Sequence, residues 1–199
     1  MLQPNGPATA LDELSPLFQP HHAADWPWFE HHPVPAQLPM TQSLGWLFVP
    51  DGRVVTLLDA HNRLFRLPGG TIEMTDDADP ATALERRAAQ EAQLALGPSH
   101  YLGFQYDGRG DIHGGIGPCA RVRMAAPVTR IGHASAEPSS GRSMVRLLAT
   151  LHQATGLIGC GKRGSQQADA AVRAAAALWG FPHSRARHIA EIPHCGGQL

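Results

Sequence analysis

A glycine pair between a strand pattern and a helix signal constrains this 199-residue chain more than any other feature. Leu64-Phe65-Arg66-Leu67 alternates as a strand does, and Pro68-Gly69-Gly70 ends that pattern. Asp79 followed by Pro80 is typical of a helix N-cap with proline at the first helical position. This order predicts a strand that passes through a glycine loop into a helix over Ala81 to Ala95.

Further apolar runs on both sides of this loop predict a mixed α/β (α+β) domain. Upstream, Leu44 to Val49 and Val54 to Leu58 are separated by a turn sequence, which is a hairpin signal. Downstream, the patterns predict strands at Tyr101 to Tyr106, Arg121 to Ile131 and Met144 to Ala149, and helices at Gln153 to Ile158 and Gln166 to Trp179. The Gly-rich stretch between Asp107 and Gly117 is typical of a mobile loop.

The ends of the chain differ from this patterned middle. Residues 1–42 are rich in Pro, His and Gln, and predict an irregular N-terminal arm. Its one apolar cluster, Trp26 to Phe29, is expected to cover the core. We expect the folded domain over residues 43–182, followed by a C-terminal tail over 183–199 in which no pattern is visible.

Composition limits the partners and the surroundings of the chain. The 16 Lys and Arg nearly balance the 17 Asp and Glu, so net charge gives no case for binding duplex nucleic acid or an anionic membrane. No stretch approaches the roughly 18 apolar residues of a membrane span. The 3 cysteines form no CxxC pair and favour reduced thiols, so we expect a cytoplasmic protein.

The glycine loop and the helix together resemble the Nudix box, G-x5-E-x7-R-E-U-x-E-E-x-G-U, in which U is a bulky aliphatic residue. Leu67-Pro68-Gly69-Gly70 and Glu73 match its opening, and Arg86 matches its arginine. The chain is therefore similar to the Nudix hydrolase superfamily (MutT-like). This resemblance implies the Nudix fold, a mixed β-sheet sandwiched between α-helices. It also implies Mg²⁺- or Mn²⁺-assisted cleavage of a nucleoside diphosphate linked to another moiety, a small-molecule partner.

The box departs from the family pattern in its acidic residues and is degenerate. Asp76 stands at the first glutamate, and nine residues instead of seven separate it from Arg86, an insertion of two. The later departures are Arg87 and Gln90 in place of glutamates and Gln93 in place of the glycine. Glu91 is the one metal-binding glutamate of this helix that the sequence retains.

The resemblance assigns roles to individual residues. Glu91 and Gln90 are the expected catalytic residues, and Glu91 with Gly70 the expected metal ligands. Arg87, Gly69 and Gly70 are expected to bind substrate, and Glu73 with Arg86 to form an ion pair that braces the loop. The outlying carboxylate that such sites recruit has three candidates in later loops: Asp107, Asp111 and Glu137.

Two functions follow from these assignments and stay open at the level of sequence. The first is hydrolysis of a phosphoanhydride bond, weakened or altered by the two lost glutamates. The alternative is a catalytically inactive Nudix-fold protein that binds a nucleotide or a partner, since a guanidinium at Arg87 can bind phosphate directly. The same side chain can instead pair with Glu91 one helical turn away. The alanine-rich helix suits packing inside the domain or, in a homodimer, between chains.

Overall fold

The apolar segments form the strands of one mixed sheet, and the segments with helix caps lie on its two faces. The computed structural model describes residues 26–112, 115–136, 141 and 143–193. Within these residues, no helix is long and apolar enough to cross a membrane. The mixed sheet with helices on its faces agrees with the architecture that the sequence predicts.

The sheet contains long central strands and short peripheral ones. In chain order its strands are β1 (Trp28–Glu30), β2 (Met40–Phe48), β3 (Val54–Asp59), β4 (Leu64–Arg66), β5 (Gly69–Thr71), β6 (Leu94–Leu96), β7 (His100–Ile112), β8 (Gly115–Ile131), β9 (Val145–Ala149) and β10 (Ala190–Glu191). The main path of neighbours is β1-β7-β8-β2-β3-β9-β10. Strands β2 and β8 pair in parallel and the other pairs are antiparallel, so the sheet is mixed.

The helices pack on opposite faces of this sheet. They are α1 (Pro80–Ala92), α2 (Leu151–Ile158) and α3 (Gly161–Trp179), and a single 3₁₀ turn, Met74–Asp76, precedes α1. Leu84 and Ala88 of α1 belong to one apolar cluster with Leu47 and Val122 of the sheet. Residues of α2 and α3 belong to a second cluster that includes Trp46. The sheet is therefore sandwiched between helices, as predicted.

Two of the predicted segments that differ from the structure involve β8. Helix α1 ends at Ala92 instead of Ala95, because Gln93 is left-handed (φ 53°) and the following residues form β6 against β8. The Gly-rich stretch predicted as a mobile loop continues β7 and begins β8. Local composition could not show either feature, because both depend on pairing with β8.

Both ends of the described chain are attached to the sheet. Within the predicted arm, β1 pairs with β7 and β2 already begins at Met40. Within the predicted tail, β10 pairs with β9 and Ile192 is buried in the first apolar cluster. Arg146 on β9 is buried and donates to the backbone oxygens of Ala92, Gly132 and Pro193.

Arg146→Met should destabilise the fold, because it leaves three backbone oxygens near the end of α1 without their donor. We expect a loss of about 2–4 kcal/mol in the free energy of unfolding, measured by urea denaturation. Arg130→Met, at an exposed position on β8, is the matched control and should change stability by less than about 0.5 kcal/mol. Equal effects of the two changes would contradict this role for Arg146.

Candidate functional site

The glycine loop reaches α1 through a backbone conformation that requires glycine at one position. Gly69 has φ +123°, and a Cβ added there would lie 2.2 Å from the backbone oxygen of Ser43 on β2. Gly69 and Gly70 form β5 and pair with Leu44 and Ser43 of β2. The loop is therefore fixed against β2. The backbone requires glycine at position 69 whether or not a ligand binds.

Arg86 on α1 ties this loop to the helix. Its guanidinium makes two 2.8 Å hydrogen bonds to the carboxylate of Asp76 and one of 3.1 Å to the backbone oxygen of Thr71. It also donates to Glu73 at 3.0 Å and to the side-chain oxygen of Gln90 at 3.2 Å. The predicted pair of Glu73 and Arg86 is present, within a larger network around one cation.

Asp76 is the main partner of Arg86, a role that the sequence did not assign to it. Its side chain is 1% exposed, whereas that of Glu73 is 49% exposed. Hydrogen bonds from Arg86 hold the pKa of Asp76 below its usual value. Asp76 also accepts from the backbone N–H of Glu73, so one buried carboxylate caps the 3₁₀ turn and braces the helix.

The two-residue insertion lies directly after Asp76. Asp77 and Ala78 are both left-handed, with φ of 51° and 58°. The backbone N–H of Asp79 then donates to the oxygen of Asp76, and the side chain of Asp79 caps α1 at Ala81 and Thr82. The extra residues therefore form a tight bend that leaves Asp76 facing Arg86.

Glu91, the retained glutamate, is buried and flanked by two arginines. Its side chain is 3% exposed, and Arg66 on β4 lies 3.0 and 3.2 Å from its two carboxylate oxygens. Arg87, one helical turn earlier, lies 3.8 Å from one of those oxygens. Arg66 was not among the site residues predicted from the sequence, because its position beside Glu91 depends on how β4 pairs with β3.

Gly70 leaves room for the guanidinium of Arg87. A Cβ added at Gly70 would lie 2.8 Å from Nε and 3.1 Å from Nη2 of Arg87. Arg66 also donates to the backbone oxygen of Gly69 at 3.3 Å. The structure therefore brings four predicted site residues together, Gly69, Gly70, Arg87 and Glu91, while Gln90 points to Arg86.

The charges of the box are divided between its two ends. At the loop end, Arg86 faces two carboxylates, those of Asp76 and Glu73. At the other end, Arg66 and Arg87 face the single carboxylate of Glu91. The Glu91 end thus presents two guanidinium groups beside one buried carboxylate, and guanidinium groups are donors that suit phosphate oxygens.

The donors at the Glu91 end do not fit the Mg²⁺ or Mn²⁺ that the fold family implies. Hard divalent cations take oxygen ligands, usually carboxylates. Among the described side chains at this end, one buried carboxylate lies beside two guanidinium groups, which repel a cation. Across the described ranges of the chain, no three His, Cys, Asp or Glu side chains are grouped so that they could hold a metal ion.

Of the three candidate outlying carboxylates, the structure describes the side chain of Asp107. Asp107 is buried on β7 and pairs with Arg121 on β8 at 2.7 Å. Asp111 lies on β7, but its side chain is not described, and Glu137 lies outside the described residues. Cavities of about 420 and 330 Å³ lie beside α1, and both include Glu85 but neither Glu91 nor Arg87.

Asp76→Asn should destabilise the protein at neutral pH by about 3 kcal/mol, because it breaks a buried ion pair. The folded-state pKa of Asp76 is lowered, so its stabilisation is complete above the unfolded-state pKa of about 4 and disappears as the pH falls through the folded-state pKa. Denaturant unfolding from pH 7 to pH 3 should show the difference from wild type shrinking below about pH 4. The control is Asp77→Asn, an exposed neighbour; a constant Asp76→Asn deficit across this range would contradict the assignment.

Ala78→Gly should stabilise the protein, because alanine is strained in the left-handed conformation that the insertion requires. Glycine makes the unfolded chain more flexible, and this cost offsets part of the relieved strain. We expect a net gain of about 0.5 kcal/mol in the free energy of unfolding, seen as a small rise in Tm. Ala89→Gly is the matched control at an exposed helical position, and should lower stability by about 1 kcal/mol. A loss of stability in Ala78→Gly would contradict the left-handed conformation of Ala78.

Comparison with known proteins supports the architecture. No family model matches the chain, and no curated protein does. The Bacillus subtilis pyrophosphohydrolase BsRppH is similar in structure, with a TM-score of 0.51 at 11% identity over 76% of this chain and 92% of its own. A Chromobacterium violaceum protein described as a Nudix hydrolase family member has a TM-score of 0.32 at 19% identity; the alignment covers 50% of this chain and 58% of that protein.

The Caenorhabditis elegans Ap4A hydrolase gives a TM-score of 0.37 at 11% identity, over 66% of this chain and 98% of its own. Of these three, the likeness to BsRppH extends over most of both chains. It agrees with the sandwiched mixed sheet and with the loop that leads into α1. This chain therefore has the Nudix fold.

Proposed function

We propose that this chain binds a small nucleotide derivative through its phosphate groups at the Glu91 end of the box. One observation carries the proposal: two guanidinium groups, Arg66 and Arg87, lie against one buried carboxylate. The ligand class is a nucleoside diphosphate linked to another moiety. Its phosphate oxygens can accept hydrogen bonds from both guanidinium groups.

The two arginines suit this task in geometry as well as in charge. The side chain of Arg66 is 33% exposed and that of Arg87 17%, so both are partly buried yet open to solvent. A guanidinium forms paired hydrogen bonds to phosphate oxygens, and partial burial strengthens such bonds. Because the two side chains come from β4 and α1, a ligand between them would contact both sides of the glycine loop.

Hydrolysis of the phosphoanhydride bond is the second candidate. Glu91 occupies the position of a metal-binding glutamate in the family pattern, and the fold is that of BsRppH, which is by name a pyrophosphohydrolase. Against it stands the pairing of Glu91 with Arg66 and Arg87, because a carboxylate engaged by two cations is a poor metal ligand. Binding is therefore the function that the geometry supports best.

Binding predicts that ADP-ribose or another member of a nucleoside diphosphate panel raises the Tm of the wild-type protein. Arg87→Gln should weaken that ligand about tenfold, because one charged phosphate contact is lost. Arg130→Gln, which removes an exposed arginine elsewhere, should leave the affinity unchanged. A panel in which no compound shifts the Tm would refute the proposal.

The same panel separates binding from hydrolysis when product formation is followed with Mg²⁺ or Mn²⁺. Turnover that disappears in Glu91→Gln would establish the second candidate instead of the first. Ligand binding without product, in wild type and variant alike, would support a binding protein.

A further inference from the structure

We propose that the segment of residues 190–193, here called the C-terminal strap, holds the Glu91 end of the box in its binding geometry. Release of the strap lowers the affinity of this end for its ligand. The inference rests on the proposed function for its binding readout, whereas a second readout, hydrogen exchange, needs no ligand. It places the site under the control of a segment that is distant from the box in sequence.

The strap is attached to the edge of the sheet and to the core beneath α1. Its first two residues form β10, which pairs with β9. The next residue, Ile192, donates its backbone N–H to the backbone oxygen of Arg146 at 2.8 Å. The side chain of Ile192 is buried and belongs to the apolar cluster that contains Ala88 and Ala92 of α1. The strap and the second half of α1 therefore share one core.

Arg146 joins the strap directly to the end of α1. Its buried guanidinium donates to the backbone oxygen of Pro193 at 2.8 Å and to that of Ala92 at 3.0 Å. Ala92 is the last residue of α1 and follows Glu91 in the chain. A buried guanidinium needs its acceptors, because an unpaired charge inside the protein is costly. Loss of the Pro193 acceptor therefore favours movement of Arg146 towards solvent and away from Ala92.

A row of side chains connects the strap to Arg66 by a second route. The register of β10 and β9 places Ile192 opposite Arg146, and Leu57 of β3 lies opposite Arg146 on its other side. Leu57 in turn lies opposite Arg66 of β4. Residues opposite each other on adjacent strands project from the same face of a sheet, so these four side chains form one row. The strap is thus linked to both partners of the ion pair between Arg66 and Glu91, which are 3.0 Å apart.

The strap is held more weakly than the sheet to which it is attached. Among the described strands, β10 lies at the end of the sheet and pairs with β9 alone. It has 2 residues, whereas all 5 residues of β9 pair with β3. A short edge strand opens by local unfolding at a lower free energy than the central strands. The strap can therefore leave while β9 and the rest of the sheet stay folded.

The test compares the full chain with two truncated chains, one without residues 190–199 and one without residues 194–199. Binding of inorganic pyrophosphate and of ADP is measured by calorimetry. We expect removal of residues 190–199 to weaken binding about tenfold, since about one molecule in ten would keep the binding geometry. Removal of residues 194–199 keeps the strap and should leave the affinity unchanged.

Ile192→Ser weakens the strap within a chain of full length. It replaces the truncated chain if far-ultraviolet circular dichroism shows that the chain without residues 190–199 is unfolded. Because the buried side chain is lost, we expect both probes to bind about threefold more weakly. Glu191→Ser, at the exposed neighbouring position, is the matched control and should leave the affinity unchanged.

Hydrogen exchange separates a strap that positions α1 from a segment that only stabilises the fold. Without residues 190–199, backbone amides should exchange faster in the last turn of α1 and in β4. Exchange in α3 should stay unchanged, because α3 packs in the other apolar cluster, on the opposite face of the sheet. Equal acceleration in α1 and α3 would show a general loss of stability and would overturn the inference.

The outcomes distinguish this inference from the proposed function. If neither probe nor any member of the nucleotide panel binds the full chain, the proposed function fails, and exchange in α1 and α3 alone decides whether the strap positions the helix. If the full chain binds a probe and the folded chain without residues 190–199 binds it equally tightly, the inference is overturned while the proposed function stands. Weaker binding with faster exchange confined to α1 and β4 supports both.

Discussion

The bidentate ion pair between Arg86 and Asp76 is the interaction on which the arrangement of the box depends. It joins the first turn after the glycine loop to the middle of α1, and both partners also bind backbone on the loop side. Because Asp76 is buried, the pair is shielded from solvent and its geometry is held more firmly than that of a surface pair. The position of α1 on the sheet, and with it that of Arg87 and Glu91, follows from this brace.

The same helix presents a different balance of charge at each end of the box. Near the loop, Arg86 forms ion pairs with the carboxylates of Asp76 and Glu73, and solvent partly screens the exposed Glu73. At the other end of the box, Arg66 and Arg87 lie against the buried carboxylate of Glu91. Gln90 belongs to the first group, since its side-chain oxygen accepts from Arg86. The loss of two glutamates therefore leaves the structural half of the box intact and changes the charge of the other half.

The sequence predicted those parts of the structure that local chemistry determines. The sandwiched sheet, the glycine loop, and Asp79 as the cap of α1 with Pro80 at its first position were all readable from neighbouring residues. The role of Asp76 was hidden by the insertion, because two left-handed residues had to be placed before its partner was evident. Arg66 was hidden for another reason: it meets Glu91 only through the pairing of β4 with β3 and of β5 with β2. Site chemistry here depends on register, which a single sequence does not specify.

The substitution at Arg87 and the retention of Glu91 are linked by electrostatics. In the family pattern a glutamate stands at position 87, one helical turn before position 91. Two carboxylates at such a short distance would repel each other unless a cation lay between them. With arginine at 87 and Arg66 on β4, the cation is part of the chain, and Glu91 is compensated without metal. The two guanidinium groups that lie against Glu91 are also the donors that an incoming phosphate would contact.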